Sequence, residues 1–122
     1  MPLVHHELCF GCGRTNLFGL LLDVEPAGPG AVAGRCFIKQ DHQGPNRGSA
    51  HPGIIATALA EAMVLACGPE ATLAQLEVSF EALAPVGSFV EIEARAEPGM
   101  SAAAHARVDG VQVARATGSF RS

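Results

Sequence analysis

The sequence predicts an α+β fold in which one long α-helix is wrapped by a curved antiparallel sheet. Three observations predict it. Pro52–Cys67 (PGIIATALAEAMVLAC) carries helix punctuation and almost no polar face, two strand-like segments precede it, and four follow it. A helix with nothing polar to show to water must be covered on most sides, and a curved sheet does this. A ferredoxin-like alternative requires a second helix, and the sequence supplies none.

The helix has Pro52 at its first position, Gly68 just past its end and Pro69 beyond, with only Thr57 and Glu61 interrupting its apolar surface. Ahead of it, 11–19 is turn-rich, 20–25 reads as a first strand, 26–30 as a turn and 31–38 as a second strand. Residues 40–50 form a polar loop of the kind that often carries function. Beyond the helix, 73–80 reads as a strand closed by the Pro85-Val86-Gly87 turn. In 89–97, Val90, Ile92, Ala94 and Ala96 alternate with charged residues, giving one buried and one wet face. Segments 102–108 and 111–120 flank Asp109-Gly110, a two-residue hairpin signal.

The 122 residues suit one domain, 1–122. Hydrophobic residues make up 48% and charged residues 16%, a balance that favours a packed core over disorder. With six Phe and neither Trp nor Tyr, that core must be built from Ala, Val, Leu and Ile. A net charge of -4, with scattered basic residues, argues against nucleic acid as a partner. The sequence shows no signal peptide or membrane span, so a cytoplasmic protein without membrane attachment is expected. Cys9, Cys12, Cys36 and Cys67 are expected as reduced thiols. Cys9-Phe10-Gly11-Cys12 has the spacing of half a zinc site, with His5 and His6 nearby, but tetrahedral zinc normally takes two well-spaced ligand pairs. The segment is read instead as a tight Gly-rich turn with two small apolar side chains, and no metal or cofactor is expected.

Cys9-Phe10-Gly11-Cys12-Gly13-Arg14-Thr15-Asn16-Leu17-Phe18-Gly19-Leu20 resembles the C-x-x-C-G-x-x-N-x-x-G-L opening of one bacterial branch of the hot-dog-fold acyl-CoA thioesterases, relatives of the phenylacetate-pathway enzymes. His42-Gln43-Gly44-Pro45 and the run from His51-Pro52-Gly53 to Glu61-Ala62-Met63 resemble that family's loop and H-G-G-I-I-A-x-x-x-D-E-A-M helix. The likeness runs from Cys9 to the end. It implies a hot-dog fold, a homodimer with joined sheets or a homotetramer, and an acyl-CoA thioester bound between protomers near the helix N-terminus. Unpaired amides and the positive end of the helix dipole there suit a developing oxyanion, and a carboxylate further along suits a base or nucleophile.

Two positions depart from the pattern. The family's glycine after the motif histidine is Pro52, which has no N–H, and the acid nine residues after that histidine is Ala60. Gly53, Thr57 and Glu61, spaced four apart, share a stripe that offers an alternative site. Glu61 is the candidate replacement base, although adjacent helical residues diverge by about 100° and it should not point where the family's acid points. It equally suits a structural carboxylate paired with an Arg across the oligomer interface. The catalytic candidates are thus Glu61, His51 and Gly53, and the substrate-binding candidates Gln43, Asn46, Arg47, Thr57 and Ser79. His51 equally suits a helix cap, Thr57 a bond to a carbonyl of its own helix, Arg47 a solvated loop arginine, and Ser79 a solvent-facing strand serine. His42 and His105 are expected at the surface. The expected activity is thioester hydrolysis; the alternative is a non-hydrolytic protein binding acyl-CoA or another small apolar ligand, and a third reading is an oligomeric scaffold.

Overall fold

The computed structural model describes residues 2–68 and 71–121. The strands are β1 (Asp23–Pro26), β2 (Ala31–Phe37), β3 (Thr72–Phe80), β4 (Phe89–Glu97), β5 (Ser101–Val108) and β6 (Val111–Arg121), and the helix is α1 (Pro52–Cys67). They form one antiparallel sheet in the order β1-β2-β4-β5-β6-β3, with α1 packed on it. This is the hot-dog fold.

Period-two alternation decides which side chains meet the helix. Val90, Ile92 and Ala94 of β4, Ala102, Ala104 and Ala106 of β5, and Ala114, Ala116 and Phe120 of β6 are buried with Ile55, Ala58, Leu59, Ala62 and Met63 of α1. Alanines on β5 let the helix approach the sheet closely. Fully burying a side chain the size of Leu59 or Ile92 contributes about 1.5–3 kcal/mol. Pro52 and Gly53 are exposed and the other helix residues, including Ile54, Ala56, Ala60 and Val64, only half-buried in one chain, so the expected wrapping is partial.

Two local differences from the expected pattern have clear causes. The first strand begins at Asp23 rather than Leu20, because Leu21 takes a left-handed conformation (φ 51°) while the Leu20 and Leu22 amides donate to the carbonyls of Phe10 and Gly11. At the Asp109-Gly110 turn both residues have positive φ, 50° and 81°, as a tight hairpin between twisted strands requires. The helix occupies the expected span, and Gly68 follows it with its N–H bonded to the Val64 carbonyl. Pro69, the expected second stop signal, lies outside the described residues. Among the described residues, no helix is long and apolar enough to cross a membrane.

Candidate functional site

The helix entrance is built by the loop of residues 43–50 folding back on itself. Gln43 and Ala50 pair as an isolated antiparallel bridge, the His51 N–H donates to the His42 carbonyl (2.8 Å), and Ala50 N–H donates to the Ala84 carbonyl (2.8 Å). The second bond sets Ala84 beside the residues that lead into α1, and Phe80 and Leu83, a few positions upstream of Ala84, are exposed. His51 is the N-cap, and its Nδ1 accepts the Gly53 N–H at 2.8 Å. Pro52 has no N–H, while the Ile54 and Ile55 amides both point at the His51 carbonyl (2.9 and 3.4 Å). Every amide in the first turn that could face a ligand is therefore absent or already bonded.

The stripe of Gly53, Thr57 and Glu61 is likewise consumed internally. Thr57 Oγ1 donates to the Gly53 carbonyl at 2.7 Å, as its helical position suggested. Gln43 staples its own loop, with Oε1 accepting the Gly48 N–H (2.7 Å) and Nε2 donating to the Gln40 carbonyl (2.9 Å). Asn46 and Arg47 lie exposed on that loop. Ser79 is exposed on the sheet face away from α1: its strand neighbour Val78 packs into the core, and Ser79 pairs with Arg115, which pairs with His105 and so with Glu93. That outer face carries a depression of about 850 Å³ whose lining includes Ser79 but no residue of α1. Ser79 is thus not brought to the helix entrance within one chain.

His42 corrects an expectation. It is buried, at 4% exposure, because the short 3-10 turn of Gln40–His42 folds it inward, and its Nδ1 accepts the Lys39 N–H at 3.0 Å. Its Nε2 is buried with no partner among the described residues. Burial first, and the Lys39 charge second, hold its pKa below the ordinary imidazole value, with Asp41 opposing. His105 is half-exposed beside Glu93 and Arg107, in line with the surface position expected.

Glu61 lies at a second centre. Its Oε2 is 2.7 Å from His5 Nδ1 and 3.2 Å from Cys9 Sγ, and its side chain is only 12% exposed. Cys9 and Cys12 are therefore not merely apolar turn residues: their sulfurs lie 3.7 and 3.5 Å from the same His5 nitrogen. No arginine among the described residues pairs with Glu61 within the chain. The other residues of the N-terminal motif build this centre. The Gly13 N–H closes the turn onto the Cys9 carbonyl (2.8 Å), and any β-carbon at Gly13 would collide with the Glu7 carbonyl oxygen. Arg14 donates to the Leu22 carbonyl (2.7 Å), Thr15 Oγ1 to the Glu7 carbonyl (3.0 Å) and Asn16 Nδ2 to the Leu8 carbonyl (3.0 Å). Burial and the Glu61 carboxylate push the Cys12 thiol up to about 12, while the His5 backbone N–H on its sulfur (3.1 Å) acts the other way. All four cysteines are free thiols, as expected.

No protein-family model matches the chain, and no curated protein sequence matches it. Its structure is similar to a thioesterase superfamily protein (TM-score 0.81, 19% identity), covering 95% of this chain and 61% of that one, so the chain spans less than two thirds of that protein's length. It is also similar to the PaaI protein of the phenylacetic acid degradation operon of E. coli (TM-score 0.75, 14% identity, 84% of each chain). A third similar structure is a Streptococcus mutans protein bound to acetyl CoA (TM-score 0.70, 18% identity, 81% of this chain and 86% of that one). The chain shares the hot-dog fold of these proteins, as the resemblance in sequence implied.

Proposed function

We propose that this chain binds an acyl-CoA, or a related thioester or small apolar ligand, beside the entrance of α1 and holds it without hydrolysing it. One observation carries the reading: the first turn offers no free amide, since Pro52 lacks an N–H and the Gly53 N–H is bonded to His51 Nδ1. Thioester cleavage needs donors aimed at the oxyanion, and each such donor typically contributes about 10²–10³ in rate. The carboxylate side is equally bare. Ala60 stands where the acid is expected, and Glu61 is held by His5 and Cys9. Exposed Phe80 and Leu83, upstream of the Ala84 that bonds to Ala50, are the apolar side chains for an acyl group in this reading, and Arg47 the cation for CoA phosphates. The structural likeness to an acetyl-CoA complex supports the ligand class.

The binding unit in this reading is a homodimer or a pair of such dimers. β3 is a nine-residue edge strand with exposed Leu76 and Phe80 and a single charge, Glu77, so it lacks the usual protection against strand pairing. Pairing two copies there would extend the sheet and close a cleft over the half-buried side of α1. A solution mass equal to one chain would contradict this assembly.

The deciding experiment offers the protein short, long and aromatic acyl-CoAs while recording free-thiol release and ligand-induced thermal shifts together. Shifts without turnover are expected. Turnover would instead establish hydrolysis, with Glu61 as a relocated base if Glu61→Ala abolishes it while the thermal shifts and the fold persist, and neither shift nor turnover would leave a scaffold.

A further inference from the structure

We propose that His5 Nδ1, Cys9 Sγ, Cys12 Sγ and a carboxylate oxygen of Glu61 form a closed four-coordinate site for a divalent transition metal ion, zinc foremost, that fastens the N-terminal segment to the middle of α1. The four ligand atoms all lie within 4.8 Å of one another. Zinc bonds of about 2.3 Å to sulfur and 2.0–2.2 Å to nitrogen or oxygen set tetrahedral edges of roughly 3.3–3.8 Å. The separations of 3.7, 3.5 and 3.2 Å lie near these edges, the 2.7 Å His5–Glu61 pair must widen, and the remaining two pairs lie within 4.8 Å.

Independent features of the chain converge on the same point. The His5 backbone N–H donates to Cys12 Sγ at 3.1 Å, a bond that favours a thiolate. Gly11 leaves the space that Glu61 occupies: a β-carbon there would lie 2.5 Å from Glu61 Cγ and Cδ. Cys12 is fully buried and Cys9, His5 and Glu61 partly so, which keeps water from competing for the ion. Two thiolates and a carboxylate bring three negative charges to a dication. On binding, the two thiols give up their protons to solvent, and His5 coordinates through an unprotonated Nδ1 with its ring proton on Nε2.

Soft sulfur ligands exclude magnesium and calcium, and a mixed sulfur, nitrogen and oxygen set at tetrahedral spacing suits zinc. All four positions come from the protein, so none is left for a substrate or an activated water. The ion's role is structural. The site is separate from the entrance of α1 and stands whether or not that entrance binds a thioester.

The test is the metal content of the full chain purified without chelator, followed by cobalt titration of the chelator-stripped protein. One ion per chain is expected, with a thiolate-to-cobalt charge-transfer band and tetrahedral d–d bands that zinc abolishes. Cys9→Ser and Glu61→Gln should each weaken zinc binding by more than the roughly 10–100-fold that loss of an outer-shell partner costs. Cys67→Ser, outside the cluster, should leave it unchanged. If Cys9→Ser fails to fold by circular dichroism, the near-isosteric Glu61→Gln carries the comparison. Folded wild-type protein that takes up neither zinc nor cobalt would overturn the proposal. So would a cobalt-thiolate band that survives in a Cys9→Ser/Cys12→Ser double variant, or a Cys9–Cys12 disulfide in metal-free protein purified under reducing conditions.

Discussion

At the entrance of α1 the polar groups are satisfied by near neighbours in sequence, His51 by Gly53 two residues on and Thr57 by Gly53 four residues back. At Glu61, on the same helix, the partners are His5 and Cys9, separated from it by 56 and 52 residues. The first arrangement is local: it forms with the helix itself, closes at once and leaves nothing to offer a reacting thioester. The second must order an N-terminal segment against a helix far away in sequence, an entropy cost that a hydrogen bond of about 1 kcal/mol offsets only in part. A bound metal ion would offset it fully. One stretch of helix thus carries two centres, and the carboxylate that a hydrolase would need at the first is committed to the second.

The largest expected effect comes from rebuilding the entrance. Pro52→Gly with Ala60→Asp returns an amide donor and an acid, and thiol release from acyl-CoA should rise at least about 10²-fold over wild type. A flat rate with ligand still bound would mean that more than these two positions separates the chain from hydrolysis. Next is Gly11→Ala, whose methyl group must displace Glu61; unfolding in urea should show a loss of about 1–3 kcal/mol, as overpacking typically gives. His51→Ala removes the cap on Gly53 and should cost about 0.5–2 kcal/mol, while exposing an amide that a ligand can use. An unchanged stability would show that the entrance is less closed than its geometry implies.

The smallest effect is a pH dependence set beneath the entrance. His42 has its folded pKa lowered by burial, so the unfolded chain takes up a proton that the folded chain refuses. Its contribution is present in full above the ordinary histidine pKa of about 6.5 and is lost as pH falls through the lower, folded value. His42→Asn, which retains an acceptor for the Lys39 N–H, should flatten thermal stability measured from about pH 7.5 down to pH 5 relative to wild type.

The second centre was only partly visible in sequence. The Cys9–Cys12 spacing shows half of the cluster, and a zinc-type pattern calls for another well-spaced pair. The cluster instead takes His5 from the same segment and Glu61 from the helix, and no spacing rule links residues 56 positions apart. Ser79 and His42 show the same limit. Alternation indicates that Ser79 and Val78 face opposite sides, but which side meets the helix is fixed by packing, and the inward turn of His42 depends on a loop with no periodicity to read.

By itself the sequence determined the fold and the absence of an amide donor at position 52. The apolar helix Pro52–Cys67, the alternation of Phe89–Glu97 and the Asp109-Gly110 turn are local patterns with a single compact solution, and a proline lacks an N–H in any structure. Only the tertiary structure decided what Glu61 touches. Its rotation of about 100° from position 60 turns it toward whatever segment covers that flank of the helix. That the segment is Cys9–Cys12 with His5 follows from Gly11, Gly13 and Asn16 folding the N-terminus over α1, which is a matter of packing between parts of the chain far apart in sequence.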